Sequence, residues 1–123
     1  MSHAPHRKRL PAEREAVTHR FSIGGQKGYV IVGLFEDGHP GEIFLKIAKE
    51  GSTLSGFASA FSTCASLALQ YGVPLKVLVR KFRDTAFEPD GFTGNQQIPH
   101  AASVLDYVFR WLERKFILGE EVH

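Results

Sequence analysis

The sequence holds one cysteine, one methionine and one tryptophan in 123 residues. A single thiol excludes an internal disulfide and any redox step that cycles two sulfurs within one chain. It suits a reducing compartment, so a cytoplasmic location is expected. Zinc motifs built on cysteine pairs are excluded for the same reason. The six histidines are His3, His6, His19, His39, His100 and His123. None has the spacing that sets two ligands on one helical turn, and no metal site is expected. Charge of one sign is also scarce: 15 Lys and Arg stand against 13 Asp and Glu, a net charge of +2. That excludes nucleic-acid binding through overall charge. No apolar run approaches the ~20 residues that span a bilayer, so no membrane role is expected. The basic start lacks the apolar stretch of a secretion signal.

What is present is an ordinary globular composition, 43 % apolar with ten Phe, at a length that suits one domain with one core. The basic residues are uneven. Residues 1–17 read as a flexible basic arm, polar, with Pro11 opposing helix upstream of it. Arg7, Lys8, Arg9 and Arg14 in that arm are the candidate contacts to a nucleic acid or a partner. Residues 18–118 read as a single domain and 119–123 as a polar tail.

Three strands are expected first. Thr18 to Ile23 is short, and Gly24-Gly25 supplies a hairpin turn. Tyr29 to Phe35 is apolar on both faces, the pattern of a central strand covered on both sides. Gly33 within it marks a bulge or a close backbone approach. Glu42 to Lys49 alternates, with Ile43, Leu45 and Ile47 on one side, as a half-buried strand does. The short connections imply an antiparallel meander.

The stretch from Lys49 to Gly72 organises the rest. Gly51 breaks the strand, Ser52 or Thr53 caps a helix, and Gly72 with Pro74 ends it. Leu54, Phe57, Phe61, Cys64, Ala68 and Tyr71 fall on one face. Gly56, Ala58, Ser59, Ala60, Ser62, Thr63, Ala65 and Ser66 are small and let a second backbone come close. The expectation is a packed spine, covered on more than one side, with Cys64 buried as a small hydrophobe. Pro74 then starts a second helix with Leu75, Leu78, Val79 and Phe82 as its apolar stripe. Its outer face is basic, but nothing in it picks out base-contacting residues of a helix-turn-helix. Asp84 to Ile98 is a loop that Phe87 and Phe92 should pin by tucking into the core. Pro99 is expected to start a third helix bearing Val104, Val108, Trp111 and Leu112, widened by Leu105, Phe109 and Phe116. A helix this apolar is either deeply buried or leaves a face for a partner, self-association included.

Three stretches carry a resemblance: GYVIVGLFEDGHPGEIFLKIAKEGSTLSG, SLALQYGVPLKVLVRKFRDTAFEPDGFTGN and SVLDYVFRWL. With RLPAERE and THRFSIGG they make residues 8 to 116 resemble the C-terminal domain of adenosylcobalamin-dependent, class II (vitamin B12-dependent) ribonucleotide reductases. That domain belongs to a group named after a Thr-Ser-Cys-Pro-Asp motif. The motif itself is absent here, where the corresponding loop reads FEPDGFTGN. The resemblance implies a relative of that domain serving deoxyribonucleotide synthesis. The parents' barrel, cobalamin-generated thiyl radical and reducing cysteine pair do not fit in this length. No catalytic residue and no bound cofactor are therefore expected here, adenosylcobalamin belonging to the full-length enzyme.

The fold expected is α+β: a three-stranded antiparallel meander followed by three helices packed on the sheet. The function expected is a stand-alone or excised, non-catalytic accessory or interaction module, with a ribonucleotide reductase large subunit as candidate partner. The rival is a nucleotide- or nucleic-acid-binding module. It rests on the basic arm and on an anion site at Lys49, Gly51, Ser52 and Thr53, where a strand runs into a helix start. Gly94 and Asn95 in the later loop would form the opposite wall. Glu50 and Glu88 are the least bland carboxylates near these elements, candidates for acid–base work by type only.

Overall fold

The structure is a computed structural model that describes residues 6–49 and 51–123. Three antiparallel strands come first: β1 (Ala16–Ile23), β2 (Gln26–Leu34) and β3 (Pro40–Ile47). Their order in the sheet is β1-β2-β3, so the meander is as expected and β2 is central. The β1–β2 hairpin turns through Gly24 and Gly25 at φ 54° and 86°, a left-handed pair that glycine adopts without strain. The β2–β3 register shifts between Gly33 and Leu34. A Cβ at Gly33 would collide with the Glu42 side chain, so this glycine marks both the irregularity and the close approach.

One face of the sheet is the core: Phe21, Ile23, Val30, Val32, Ile43, Leu45 and Ile47 are all buried. The other face is open. Tyr29 and Phe44 are 39 % and 48 % exposed and Ile31 is half-buried, which overturns the expectation that β2 is covered on both sides. The strand is central in its hydrogen bonds but not in its packing.

Helix α1 (Thr53–Gln70) runs along the free edge of β3. Its inward residues are Ala58, Ser62, Ala65, Ser66, Leu69 and Gln70. The small side chains do admit a second backbone. Leu45 N donates to Ser62 Oγ (2.7 Å), Ile43 N donates to Ser66 Oγ (2.9 Å), and Ser66 Oγ donates to Ile43 O (3.1 Å). Gln70 Nε2 donates to Gly41 O (2.9 Å). Four helical residues rise ~6 Å and two strand residues ~6.7 Å, so a polar side chain on every helical turn meets every second strand residue. The helix thus satisfies the edge groups that a fourth strand would otherwise take.

That docking turns the helix away from the orientation its large apolar residues suggest. Phe57 is 71 % exposed, Tyr71 is 48 % exposed and Cys64 is exposed. The expected spine covered on several sides, with Cys64 shut inside, is therefore corrected. The physical reason is the unpaired edge of β3: burying it without partners would cost more than leaving Phe57 and Tyr71 in water.

Helix α2 (Leu75–Phe82) follows, with Pro74 as its N-cap residue rather than its first turn. Leu78 and Val79 are buried. Phe61, Phe82 and Phe109 form an aromatic cluster with centroids 4.9–6.0 Å apart. The loop beyond does not use its aromatics as pins: Phe87 is 38 % and Phe92 82 % exposed. Buried Thr93 and Ile98 hold it instead, and Thr93 Oγ1 donates to Ile98 O. A two-residue ribbon, β4 (Gly91–Phe92) with β5 (His100–Ala101), turns Phe92 outward and Thr93 inward.

Pro99 does not start the third helix. The ribbon takes residues 100–101, and α3 (Val104–Leu112) begins after Ser103, whose Oγ accepts from Asp106 N (3.0 Å). Every residue of α3 except Leu105 and Arg110 is buried, so its apolar girth is covered within the chain. A π-helical turn, Glu113–Ile117, ends it.

Candidate functional site

The outer side of α1 is the most unusual surface. The helix has 18 residues and not one Asp, Glu, Lys, Arg or His. An exposed helix face is normally charged. Here it shows Phe57, Cys64, Leu67 and Tyr71 to solvent. At its N-terminal end the face runs into an apolar cleft of about 520 Å³, walled by Leu45, Leu54, Phe57, Phe61, Phe87 and Leu105. Glu88 and Thr53 supply the polar rim. Such a cleft takes apolar side chains or a small apolar ligand.

The proposed anion-site residues are split by the fold. Ser52 is the N-cap of α1: its Oγ accepts from Ser55 N (3.1 Å) and donates to Lys49 O (2.8 Å). Thr53 lines the apolar cleft, whereas Gly94 and Asn95 line a second cleft of about 610 Å³ with His19, Arg20, Lys27 and Tyr107. Thr53 and the pair Gly94 and Asn95 therefore line different clefts. Gly51 is exposed, and Glu50 lies outside the described residues.

The basic arm is tied down from Arg7 on. Arg7 Nε donates to Gln70 Oε1 (2.6 Å) and Lys8 N to Gln70 O (2.8 Å). The Lys8 ammonium sits 4.4 Å from the Phe35 ring centroid. Arg14 grips the Glu42 carboxylate through two bonds of 2.7 and 3.0 Å. Arg9 is exposed. Residues 1–5 of the arm lie outside the described residues.

Two polar clusters lie outside the candidate sites drawn from the sequence. In the first, His19 Nε2 lies 2.8 Å from the Tyr107 hydroxyl, which accepts from Asn95 Nδ2 at 3.1 Å. The His19 ring stacks on Trp111 at 4.7 Å. Burial, with Lys115 nearby, lowers the His19 pKa, and burial raises that of Tyr107. Burial thus favours the neutral ring beside the hydroxyl. In the second cluster Asp106 accepts from Ala102 N and Asp84 N, each at 2.8 Å, and from Arg110 Nε at 2.7 Å. Burial pushes this carboxyl up, but the two backbone donors and the guanidinium outweigh it and hold it below its ordinary value. Asp106 ties α3 to the end of α2; it is a strut. Periodicity reaches only the Asp106–Arg110 pair, four residues apart on α3, since Asp84 and Asp106 lie 22 residues apart and His19 and Tyr107 lie 88 apart.

Among the described residues, no group of three or more His, Cys, Asp or Glu is placed to hold a metal ion. No described helix is long and apolar enough to cross a membrane.

A three-stranded meander sealed along its edge by a serine-bearing helix and closed by a buried third helix defines a small α+β module. The TSCPD domain family matches residues 5–116, and the chain belongs to that family. It is 53 % identical over 117 residues to a vitamin B12-dependent ribonucleotide reductase of Rhodopirellula baltica, a match covering 95 % of this chain and 11 % of that protein. A protein of the same description from Streptantibioticus cattleyicolor is 44 % identical, with 95 % of this chain and 20 % of the relative covered. One from Bradyrhizobium diazoefficiens is 46 % identical over 107 residues, 86 % of this chain and 8 % of the relative. The chain thus spans a fifth or less of the length of these curated relatives. No solved structure matches it.

The relatives' description implies cobalamin, and the residues here do not fit it. The described clefts, of about 470 to 740 Å³, have the size of sites for drug-sized ligands, and a corrin with its two arms is larger.

Proposed function

We propose that the chain is a non-catalytic accessory module of deoxyribonucleotide synthesis that docks on the large subunit of a B12-dependent ribonucleotide reductase. One observation carries this reading: an 18-residue helix without a single charge turns Phe57, Leu67 and Tyr71 outward beside an apolar cleft. An apolar patch of that kind is a mark of a protein interface. The similarity to a small part of much longer reductases supports the choice of partner class. Cys64 is exposed, but a dithiol step needs a second sulfur that the chain does not hold.

The test is co-purification of the chain with the reductase large subunit of its host, followed by titration. Micromolar or tighter binding that Leu67→Glu weakens at least tenfold is expected; absence of binding at micromolar concentration contradicts the proposal. Salt separates it from the nucleic-acid reading. Phosphate-driven binding falls steeply with ionic strength, and an uncharged face is insensitive to it.

A further inference from the structure

The loop between β4 and β5 holds a short stretch of backbone with side-chain amides. Gln97 Nε2 donates to Glu121 O (2.8 Å), and His123 N donates to Gln97 Oε1 (2.9 Å). Asn95 Nδ2 donates to His123 O. Alternate residues of an extended chain turn their backbone groups to the same side. One carboxamide that reads the C=O of residue 121 and the N–H of residue 123 therefore copies what a neighbouring strand would do. No tail side chain takes part in these three bonds.

Two tail side chains are read separately. Val122, between the two clamped residues, is half-buried and packs on the core. Glu120 is held by Arg114, 3.3 Å from its carboxylate, and Glu120 N donates to Arg114 O (2.9 Å). Glu121 and His123 point to solvent. The clamp itself is braced: Asn95 N donates to Thr93 Oγ1 (3.1 Å), Gln97 N to Asn95 Oδ1 (3.0 Å), and Asn95 Nδ2 reaches the Tyr107 hydroxyl. These bonds brace the two amides, which lowers the ordering cost of binding. Arg20 and Lys27 line the 610 Å³ cleft beside the clamp, with His123 on its wall, and favour acidic chain.

We propose that Asn95 and Gln97 form a docking clamp for an acidic, extended peptide segment, and that the chain's own residues 120–123 occupy this clamp here. Backbone clamping gives affinity, and the pocket for a β-branched aliphatic side chain, with a glutamate two positions before it, gives selectivity. A partner segment of that chemistry enters by displacing the resident one. Because the resident segment is tethered, it competes at high effective concentration, and the apparent affinity for an added peptide falls by the fraction of clamps left open.

The test uses the full chain and a labelled synthetic peptide with the sequence Leu-Gly-Glu-Glu-Val-His of residues 118–123. Val122→Asp loosens the resident segment, so this variant should bind the peptide about tenfold or more tighter than the unchanged chain does. Adding Gln97→Ala to Val122→Asp should remove that gain. Equal binding by the unchanged chain and Val122→Asp, or an undiminished gain in the double variant, overturns the proposal. Hydrogen exchange is a second reading that does not depend on the peptide. The His123 amide should be protected in the unchanged chain and lose that protection in Gln97→Ala; exchange at the unfolded-chain rate in the unchanged chain also overturns it.

Discussion

The inner face of α1 buries Ser62, Ser66 and Gln70 among small apolar residues, while its outer face leaves Phe57, Leu67 and Tyr71 exposed. Ser62, Ser66 and Gln70 lie against β3 at 3–8 % exposure, and Phe57 stands at 71 %. Apolar burial alone would rotate the helix the other way. What decides is the edge of β3, whose Ile43 and Leu45 N–H groups and Gly41 carbonyl need partners once they leave water. An orphaned buried donor costs about 1–3 kcal/mol, and several would be left at once. The outer face is what remains after the edge is sealed, and it is the face the module can offer a partner.

That contrast can be broken from either side. The largest effect should come from Ser66→Leu, which orphans Ile43 N–H and forces a bulky side chain between helix and strand. A loss of about 2–5 kcal/mol is expected from these two terms, read as a lowered urea midpoint. Ser66→Ala keeps the space and removes only the hydroxyl, so about 1–3 kcal/mol should be lost in the same titration. The smallest effect belongs to the outer face: Phe57→Ser should change stability by no more than about 0.5 kcal/mol, while weakening any docking through that face.

A pH titration sharpens the contrast between the α1 seal and the buried histidine. His19 has a folded pKa below its ordinary 6.5, from burial first and Lys115 second. The unfolded chain then binds the proton more readily. Stability associated with neutral His19 is complete above 6.5 and is lost as pH falls from there toward the folded value. His19→Gln should flatten that limb of the stability profile. The seal contains no titrating group, so Ser66→Ala should shift the whole profile without changing its slope there.

Much of the frame was legible in the residues. The alternation of Ile43, Leu45 and Ile47, the glycine pair at 24–25 and the short connections lead to the meander. Ser52 before an apolar-periodic run leads to the cap. The small residues of α1 correctly announced a close backbone. The facing of α1 was not legible, because serine counts as a surface residue until an unpaired strand edge is known to lie opposite it. The start of α3 was missed for a related reason: Pro99 is a common helix opener, but Ser103 with Asp106 makes the better cap and the ribbon takes the residues between. Phe87 and Phe92 misled by hydrophobicity, where Thr93 and Ile98 hold the loop. The Asn95–Gln97 clamp depends on residues 24 to 28 positions away and has no local signature.

Cys64 reports on the orientation of α1 more directly than any substitution does. Its reaction with a thiol reagent should run in the native chain within about tenfold of the rate in denaturant, because the outer face lies open. Protection by about a hundredfold or more would place that face inside the protein and contradict both the sealed edge of β3 and the docking surface drawn from it.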